Sequence, residues 1–119
     1  MTRALTFRGG KNVAMKVPAN QFVATVESYR ALGIPVLAES ELTVCFEYGP
    51  IRLHVDRVTN LSQAEIWLEF ITPDVLSAAA PIKRAGFVRC DEIEELSGDY
   101  AAFWVSSPAS IVHLVSEEE

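Results

Sequence analysis

The segment that decides the fold runs from Asn12 to Gly33 and reads NVAMKVPANQFVATVESYRALG. Alternate residues from Val13 to Val17 are apolar, which is typical of a strand with one buried face. Pro18 ends this strand and suits the first turn of a helix. The apolar residues that then recur at helical spacing are Phe22, Val23, Val26, Tyr29 and Leu32. The segment therefore predicts a strand over Asn12 to Val17 and a helix over Ala19 to Leu32, which ends at Gly33.

Three shorter strands follow this helix. Ile34 to Ala38 and Leu42 to Tyr48 are apolar runs of strand length, and Gly49-Pro50 forms a turn after them. Apolar and polar residues then alternate from Ile51 to Asp56, which indicates a fourth strand. The first half of the chain is thus predicted to be strand, helix and three strands.

The second half repeats this order after a polar linker at 60–63. Ala64 to Ile71 alternates as a strand does, and Thr72-Pro73-Asp74 is a helix-start signature. Val75 to Ala85 is predicted to be helical, with Pro81 expected to kink or shorten it before Gly86 ends it. The remaining strand candidates are Phe87 to Cys90, Tyr100 to Val105 and Ser110 to Val115, separated by turns at Ser97-Gly98-Asp99 and Ser107-Pro108-Ala109. We therefore expect an α+β fold of two βαβββ modules, about 12–58 and 64–116, within a single domain of residues 1–119.

Composition limits the function classes. The 119 residues are 50% hydrophobic and 22% charged, with a formal net charge of −6, which is ordinary globular composition but lacks the basic face of a general nucleic-acid binder. No apolar run is long enough to span a membrane and no leader opens the chain, so we expect a cytoplasmic protein with no membrane partner. Two cysteines, Cys45 and Cys90, do not make a disulfide framework, and burial within strands is favoured over a redox pair.

The order and spacing of several short motifs resemble the vicinal oxygen chelate superfamily, which includes glyoxalase I, bleomycin-resistance proteins and extradiol dioxygenases. In the first half the resemblance is carried by the opening strand and Glu27 to Gly33. In the second half the matching motifs are Leu68-Glu69-Phe70, Asp74-Val75, Ala85-Gly86, Ala102-Phe103-Trp104 and Ser107-Pro108. The resemblance implies a glyoxalase-like fold, with each module's mixed or antiparallel sheet curled into a cup, and a homodimer.

The resemblance also implies a set of metal-ligand positions on the first and fourth strands of each module. These positions are occupied by Asn12, His54, Glu65 (or Trp67, if the register slips by two) and His113. Two imidazoles and one carboxylate, from His54, His113 and Glu65, suit a divalent metal, and Glu69 on the same face as Glu65 could act as a general base. Asn12 is a poor metal ligand, and Ser107 to Ser110 lacks the acidic turn common in relatives.

The other candidate residues concern ligand binding without a metal. Trp67 and Trp104 are either stacking platforms for an aromatic ligand or plain core residues, and Arg52 could orient a polar group. The leading prediction is a small-ligand-binding protein that takes an aromatic or cationic molecule in a largely apolar cup, without a complete metal site. The alternatives are a metal-dependent lyase, isomerase or dioxygenase that uses His54, Glu65 and His113, and a regulatory or structural domain with no ligand. The sequence leaves open whether the protein is an enzyme.

Overall fold

The structure is a computed structural model that describes residues 5–96, 98 and 100–118. By its internal contacts the chain divides into two compact units. The first unit is Lys11–Trp67, and the second unit is Met1–Gly10 together with Leu68–Glu119. The unit boundary divides the opening strand of the second predicted module, so the units and the modules differ by a few residues. That the whole chain forms a single domain stays a prediction.

The described residues form nine strands and two α-helices. In chain order these are β1 (Arg8–Gly9), β2 (Asn12–Pro18), α1 (Phe22–Ala31), β3 (Val36–Glu39), β4 (Thr43–Tyr48), β5 (Ile51–Val58), β6 (Glu65–Thr72), α2 (Ala79–Arg84), β7 (Val88–Arg89), β8 (Ala102–Ser106) and β9 (Val112–Glu117). Both predicted modules are confirmed as strand, helix and three strands. The short strand β1 was not predicted, because two residues are too few to show alternation.

The sheet of the first unit has the strand order β3-β4-β5-β2, followed by the first residues of β6. Strand β2 pairs in parallel with β5, whereas β3, β4 and β5 pair antiparallel as two hairpins. The loop between β4 and β5 turns at Gly49, whose φ of 62° confirms the predicted turn.

The core of the first unit lies between this sheet and α1. Strands β2, β4 and β5 direct alternate side chains to the helix, including Val17, Phe46 and Val55, which are almost completely buried. Phe22 and Val26 of α1 complete the cluster because they share one face of the helix. The alternation that predicted these strands therefore also determines which face of the sheet is apolar.

The second unit has the strand order β6-β9-β8-β7, with β1 paired antiparallel to β6. Strands β6 and β9 pair in parallel, and the other pairs are antiparallel, so this sheet is mixed as well. Its core contains Ile82 of α2 against Phe103, Val105 and Val115 of the sheet. The predicted turn at Ser107-Pro108-Ala109 is present, whereas the one at Ser97-Gly98-Asp99 lies outside the described residues at Ser97 and Asp99.

The second helix is shorter than the apolar pattern predicts. A 3₁₀ turn spans Val75–Ser77, and α2 begins only at Ala79. Pro81 therefore lies in the first turn of α2, where its missing N–H group needs no partner within the helix. The residue that caps this region is Asp74, whose carboxylate accepts from the backbone N–H of Ser77 at 3.3 Å. Thr72, the other candidate cap, is completely buried at the end of β6.

The architecture confirms the predicted α+β class. No helix in the described part of the chain has the length and apolar character that crossing a membrane requires. The expected homodimer and cytoplasmic location stay predictions.

Candidate functional site

The strand face of the first unit that points away from its core carries most of the predicted site residues. Cα pairing places Asn12 beside Arg52, and His54 lies between Ala14 and Cys45. We call this surface the polar face, and it consists of Asn12, Ala14, Lys16, Thr43, Cys45, Glu47, Arg52, His54, Asp56, Glu65 and Trp67. This surface is polar, whereas a largely apolar cup was expected from the sequence. The reason is that the polar residues of the alternating strands β2 and β5 point to this side of the sheet.

Three predicted residues meet at one end of the polar face. The Oδ1 atom of Asn12 accepts a hydrogen bond from Nε of Arg52 at 3.1 Å. The same oxygen lies 2.9 Å from Nε2 of His54. Arg52 is exposed, whereas Asn12 and His54 are partly buried, so the cluster is accessible from solvent while being held in place by its own contacts.

The partners of Asn12 determine the tautomer of His54. A guanidinium can only donate, so the Asn12 atom that faces Arg52 is the carbonyl oxygen and not the amide nitrogen. Because that oxygen can only accept, Nε2 of His54 carries the hydrogen. The Nδ1 atom of a neutral His54 is then the hydrogen-bond acceptor of the ring.

Cys45 lies beside His54 on the neighbouring strand. Its Sγ atom is 3.9 Å from Nε2 of His54, and only 7% of the residue is exposed. Burial raises the pKa of the Cys45 thiol, and the Asp56 carboxylate adds to this, while Arg52 opposes it. The thiol is therefore kept neutral near pH 7 and is a weak nucleophile. The prediction that Cys45 is buried within a strand is confirmed, but its alternation with Val44 and Phe46 places the thiol on the polar face rather than in the core.

The other end of the polar face holds a buried ion pair. The Nζ atom of Lys16 lies 2.8 Å from a carboxylate oxygen of Asp56, and only 4% of Lys16 is exposed. The other oxygen of Asp56 accepts a short hydrogen bond from the hydroxyl of Thr43. Charge pairing together with a hydroxyl donor offsets part of the cost of removing the two charges from water.

The indole of Trp67 completes this end. The ammonium of Lys16 lies 4.4 Å from the centre of the Trp67 ring, and the indole N–H donates to Glu65 at 2.9 Å. Only 6% of Trp67 is exposed, so the ring offers little open surface on which a ligand could stack. Glu65 is exposed beside it and acts as the acceptor for the indole. A role for Trp67 in stacking against a ligand stays a prediction.

His113 lies on the face of the second unit's sheet that is directed to the core. The resemblance assigned it to a face open to ligand, but its strand partner is Val105 and it alternates in phase with Val115, both of which are core residues. Its ring stacks on Phe70 with a centroid distance of 4.7 Å. Its Nδ1 atom donates to the carbonyl of Ile111 at 2.9 Å, and 8% of the residue is exposed.

Trp104 and Glu69 lie on the face of the second unit that points away from its core. Both residues pair with Leu114 of β9, one from each neighbouring strand, so their side chains lie on the same face of the sheet. The indole N–H of Trp104 donates to the carbonyl of Glu94 at 3.0 Å, and only 6% of the residue is exposed. The carboxylate of Glu69 lies over Gly10, where no Cβ occupies the space. Neither a stacking role for Trp104 nor a general-base role for Glu69 is tested by these contacts.

The predicted metal ligands do not form a cluster. Within residues 5–96, 98 and 100–118, no three His, Cys, Asp or Glu side chains are grouped so that they could hold a metal ion. His54 has Asn12 and Cys45 as neighbours, Glu65 accepts from Trp67, and His113 packs in the core of its own unit. What the structure brings together is the hydrogen-bonded group of Asn12, Arg52 and His54.

Comparison with known proteins gives the fold. No family model and no curated protein sequence matches the chain. Among solved structures, a hypothetical protein from Bacillus halodurans aligns over 96% of each chain with a TM-score of 0.65 and 10% identity. A glyoxalase/bleomycin resistance protein/dioxygenase superfamily member from Vibrio splendidus aligns over 95% of this chain and 100% of its own, with a TM-score of 0.55 and 14% identity.

A variant of 4-hydroxymandelate synthase from Streptomyces coelicolor is similar over 94% of this chain and 49% of its own, with a TM-score of 0.59 and 11% identity. At these identities the likeness concerns the fold. The protein has a glyoxalase-like fold, as the Vibrio splendidus protein does. Its activity has to be argued from the site.

Proposed function

We propose that the protein binds a small molecule on the polar face of its first unit, through Asn12, Arg52 and His54. The observation that carries this proposal is the shared Asn12 oxygen, which accepts from Arg52 at 3.1 Å and lies 2.9 Å from His54. Such a group is preorganised, because its side chains are oriented before any ligand arrives.

The chemistry of the group favours a ligand that carries oxygen atoms with negative charge. Arg52 uses one N–H group on Asn12, and a guanidinium has further N–H groups suited to a carboxylate or phenolate. Cys45 and the ring of His54 provide less polar surface next to this charge. We therefore propose an aromatic or similarly compact anion, rather than the cation that the acidic composition also allowed.

The proposal is tested with three aromatic probes that differ in charge: benzoate, benzyl alcohol and benzylammonium. Each probe is titrated into ¹⁵N-labelled protein, and the amide shifts of residues on β2 and β5 are followed. We expect benzoate to give the largest shifts around Arg52 and His54, because the guanidinium attracts the carboxylate. Stronger binding of benzylammonium would contradict an anionic ligand.

A matched pair of variants locates the effect. Arg52→Met removes the guanidinium of the polar face, whereas Arg57→Met changes an arginine of the same strand whose guanidinium lies over Phe22, on the other side of the sheet. Benzoate binding should weaken about tenfold in the first variant and remain near the wild-type value in the second. Equal binding by both variants, or no response to any probe, would overturn the proposal.

A metal-dependent reaction through His54, Glu65 and His113 is not proposed, because no described group of three potential ligands could hold the ion. No reaction is assigned to the protein.

A further inference from the structure

The second unit contains a groove far along the chain from the residues of the polar face. It lies between α2 and β7, has a volume of about 700 Å³, and is lined chiefly by the apolar side chains of Ile82, Phe87, Val88 and Val105. Val88 is 67% exposed, so the groove is accessible from solvent. Its volume is within the range of sites that take small organic ligands, roughly 300–1,000 Å³.

The first unit has a groove at the corresponding place, but there it is crossed by an ion pair. Arg30, three residues before the glycine that ends α1, bonds to Glu39 of the edge strand β3 at 2.5 Å. That groove is lined by charged residues of both signs as well as apolar ones, including Glu27 and Arg57. In the first unit the positive charge of Arg30 on the helix is therefore neutralised by Glu39 on the edge strand.

In the second unit the corresponding charges do not cancel. Lys83 stands three residues before Gly86, as Arg30 does before Gly33, but the edge strand β7 ends in Arg89, whereas β3 ends in Glu39. Lys83 has no salt-bridge partner in the described part of the chain and is exposed beside the groove. Arg89 is paired with Asp91 at 2.6 Å, and its guanidinium lies 4.2 Å from the centre of the Phe103 ring.

Lys83 and Arg89 are the charged residues that line the groove, and Asp91 is the ion-pair partner of Arg89. Asp91 is engaged by Arg89, and no described carboxylate forms a salt bridge with the ammonium of Lys83. An apolar groove with this cation at its side matches a molecule with an apolar body and a single anionic end.

We propose that the groove between α2 and β7 binds amphipathic organic anions, with the apolar part against Ile82, Phe87 and Val105 and the anionic group at Lys83. The ligand class is a free carboxylate with a medium-length alkyl chain or a ring. The site is separate from the polar face and does not depend on the function proposed for it.

The test uses decanoate as the probe and decyltrimethylammonium as the cationic control, each titrated into ¹⁵N-labelled protein up to about 5 mM. Decanoate should shift the amide signals of Gly86, Phe87 and Val88, and decyltrimethylammonium should bind more weakly. Shifts confined to the first unit, no shifts with decanoate, or equal binding of the cationic control would overturn the proposal.

Two variants on adjacent residues separate a specific contact from general charge. Lys83→Glu should weaken decanoate binding about tenfold or more, because it replaces the cation at the groove by an anion. Arg84→Glu makes the same change of charge in the same last turn of α2, but Arg84 does not line the groove. Binding should stay near the wild-type value in that variant, and an equal loss in both variants would contradict the proposal.

A third variant tests the apolar part without changing charge. Ala80 lines the groove, and Ala80→Trp should fill it and reduce decanoate binding while leaving the melting temperature close to that of the wild type. Undiminished binding in this variant, with the protein folded, would show that decanoate binds elsewhere.

Discussion

The Nε2 atom of His54 lies 2.9 Å from the Oδ1 atom of Asn12, although the two residues are 42 positions apart in the chain. The contact depends on the parallel pairing of β2 with β5, which places Asn12 beside Arg52 and Ala14 beside His54. A shift of one residue in this register would move His54 to the core side of the sheet. The polar face is therefore a consequence of the strand register rather than of any local motif.

The two histidines are expected to be opposite tautomers. Nε2 of His54 carries the hydrogen because Asn12 presents a carbonyl oxygen, whereas Nδ1 of His113 carries it because it faces the carbonyl oxygen of Ile111, which can only accept. Long-range ¹⁵N–¹H spectra at a pH where both rings are neutral distinguish these states. Asn12→Ala should change the spectrum of His54 and leave that of His113 unaltered. An Nδ1–H tautomer at His54 in the wild type would contradict the hydrogen bonds described.

Removing only one partner of the buried pair of Lys16 and Asp56 is expected to lower the free energy of unfolding substantially. Asp56→Ala should lower the free energy of unfolding by about 2–3 kcal/mol, because it leaves the Lys16 ammonium buried without this carboxylate. The double variant Lys16→Met, Asp56→Leu should lose less than the sum of the single changes. Urea denaturation measures each value.

The exposed pair of Arg30 and Glu39 provides the control for this prediction. Their side chains are 40% and 54% exposed, so Arg30→Ala should cost about 0.5 kcal/mol or less. Equal losses at the two pairs would show that burial does not distinguish them.

Both thiols are expected to react slowly with iodoacetamide near neutral pH. Burial raises the pKa of Cys45 and of Cys90, and Glu92 and Asp91 raise that of Cys90 further, so little thiolate is present at pH 7. Cys90 should react first because Cys45 is buried and Cys90 is only partly so. Alkylation rates measured between pH 7 and pH 10 on the Cys45→Ser and Cys90→Ser variants assign each reaction, and a fast reaction of Cys45 at pH 7 would refute its assignment as a neutral thiol.

The same shifts give a pH dependence of stability. A thiol whose pKa is raised in the folded state holds its proton more tightly there than in the unfolded chain. Its contribution to stability is present below the ordinary thiol pKa and is lost as the pH rises through the raised value. The free energy of unfolding should therefore fall in alkaline solution, and the fall should be smaller when both cysteines are replaced by serine.

Gly33 is expected to resist substitution for conformational reasons alone. Its φ is 80°, and a Cβ added there would meet no atom within 4 Å. Gly33→Ala should therefore lower the free energy of unfolding by about 1 kcal/mol through backbone strain. Gly9→Ala is the matched control, since Gly9 also has open space but lacks a positive φ. A neutral Gly33→Ala would contradict the left-handed end of α1.

Much of the secondary structure could be predicted from the sequence, because apolar periodicity and the helix-ending residues Gly33 and Gly86 are local signals. The least accurate prediction was α2, where Pro81 and the Asp74 cap divided one apolar segment into a 3₁₀ turn and a six-residue helix. Local propensity shows that a helix is interrupted there, but the cap that is used depends on the buried end of β6.

The sequence by itself determined the two βαβββ modules and the alternation that places Arg52 and His54 on the same face of β5, whereas Asn12 joins them only through the pairing of β2 with β5. Tertiary structure decided which faces are polar and which side chains meet. His113 shows the difference, because its strand alternates Val-His-Leu-Val and either face was plausible until pairing with Val105 put the ring against Phe70. The same holds for Lys83, whose position before Gly86 is local, whereas the groove that it lines forms only when α2 packs beside β7. Alternation is fixed by the chain, but register and neighbours are fixed only when the strands pair.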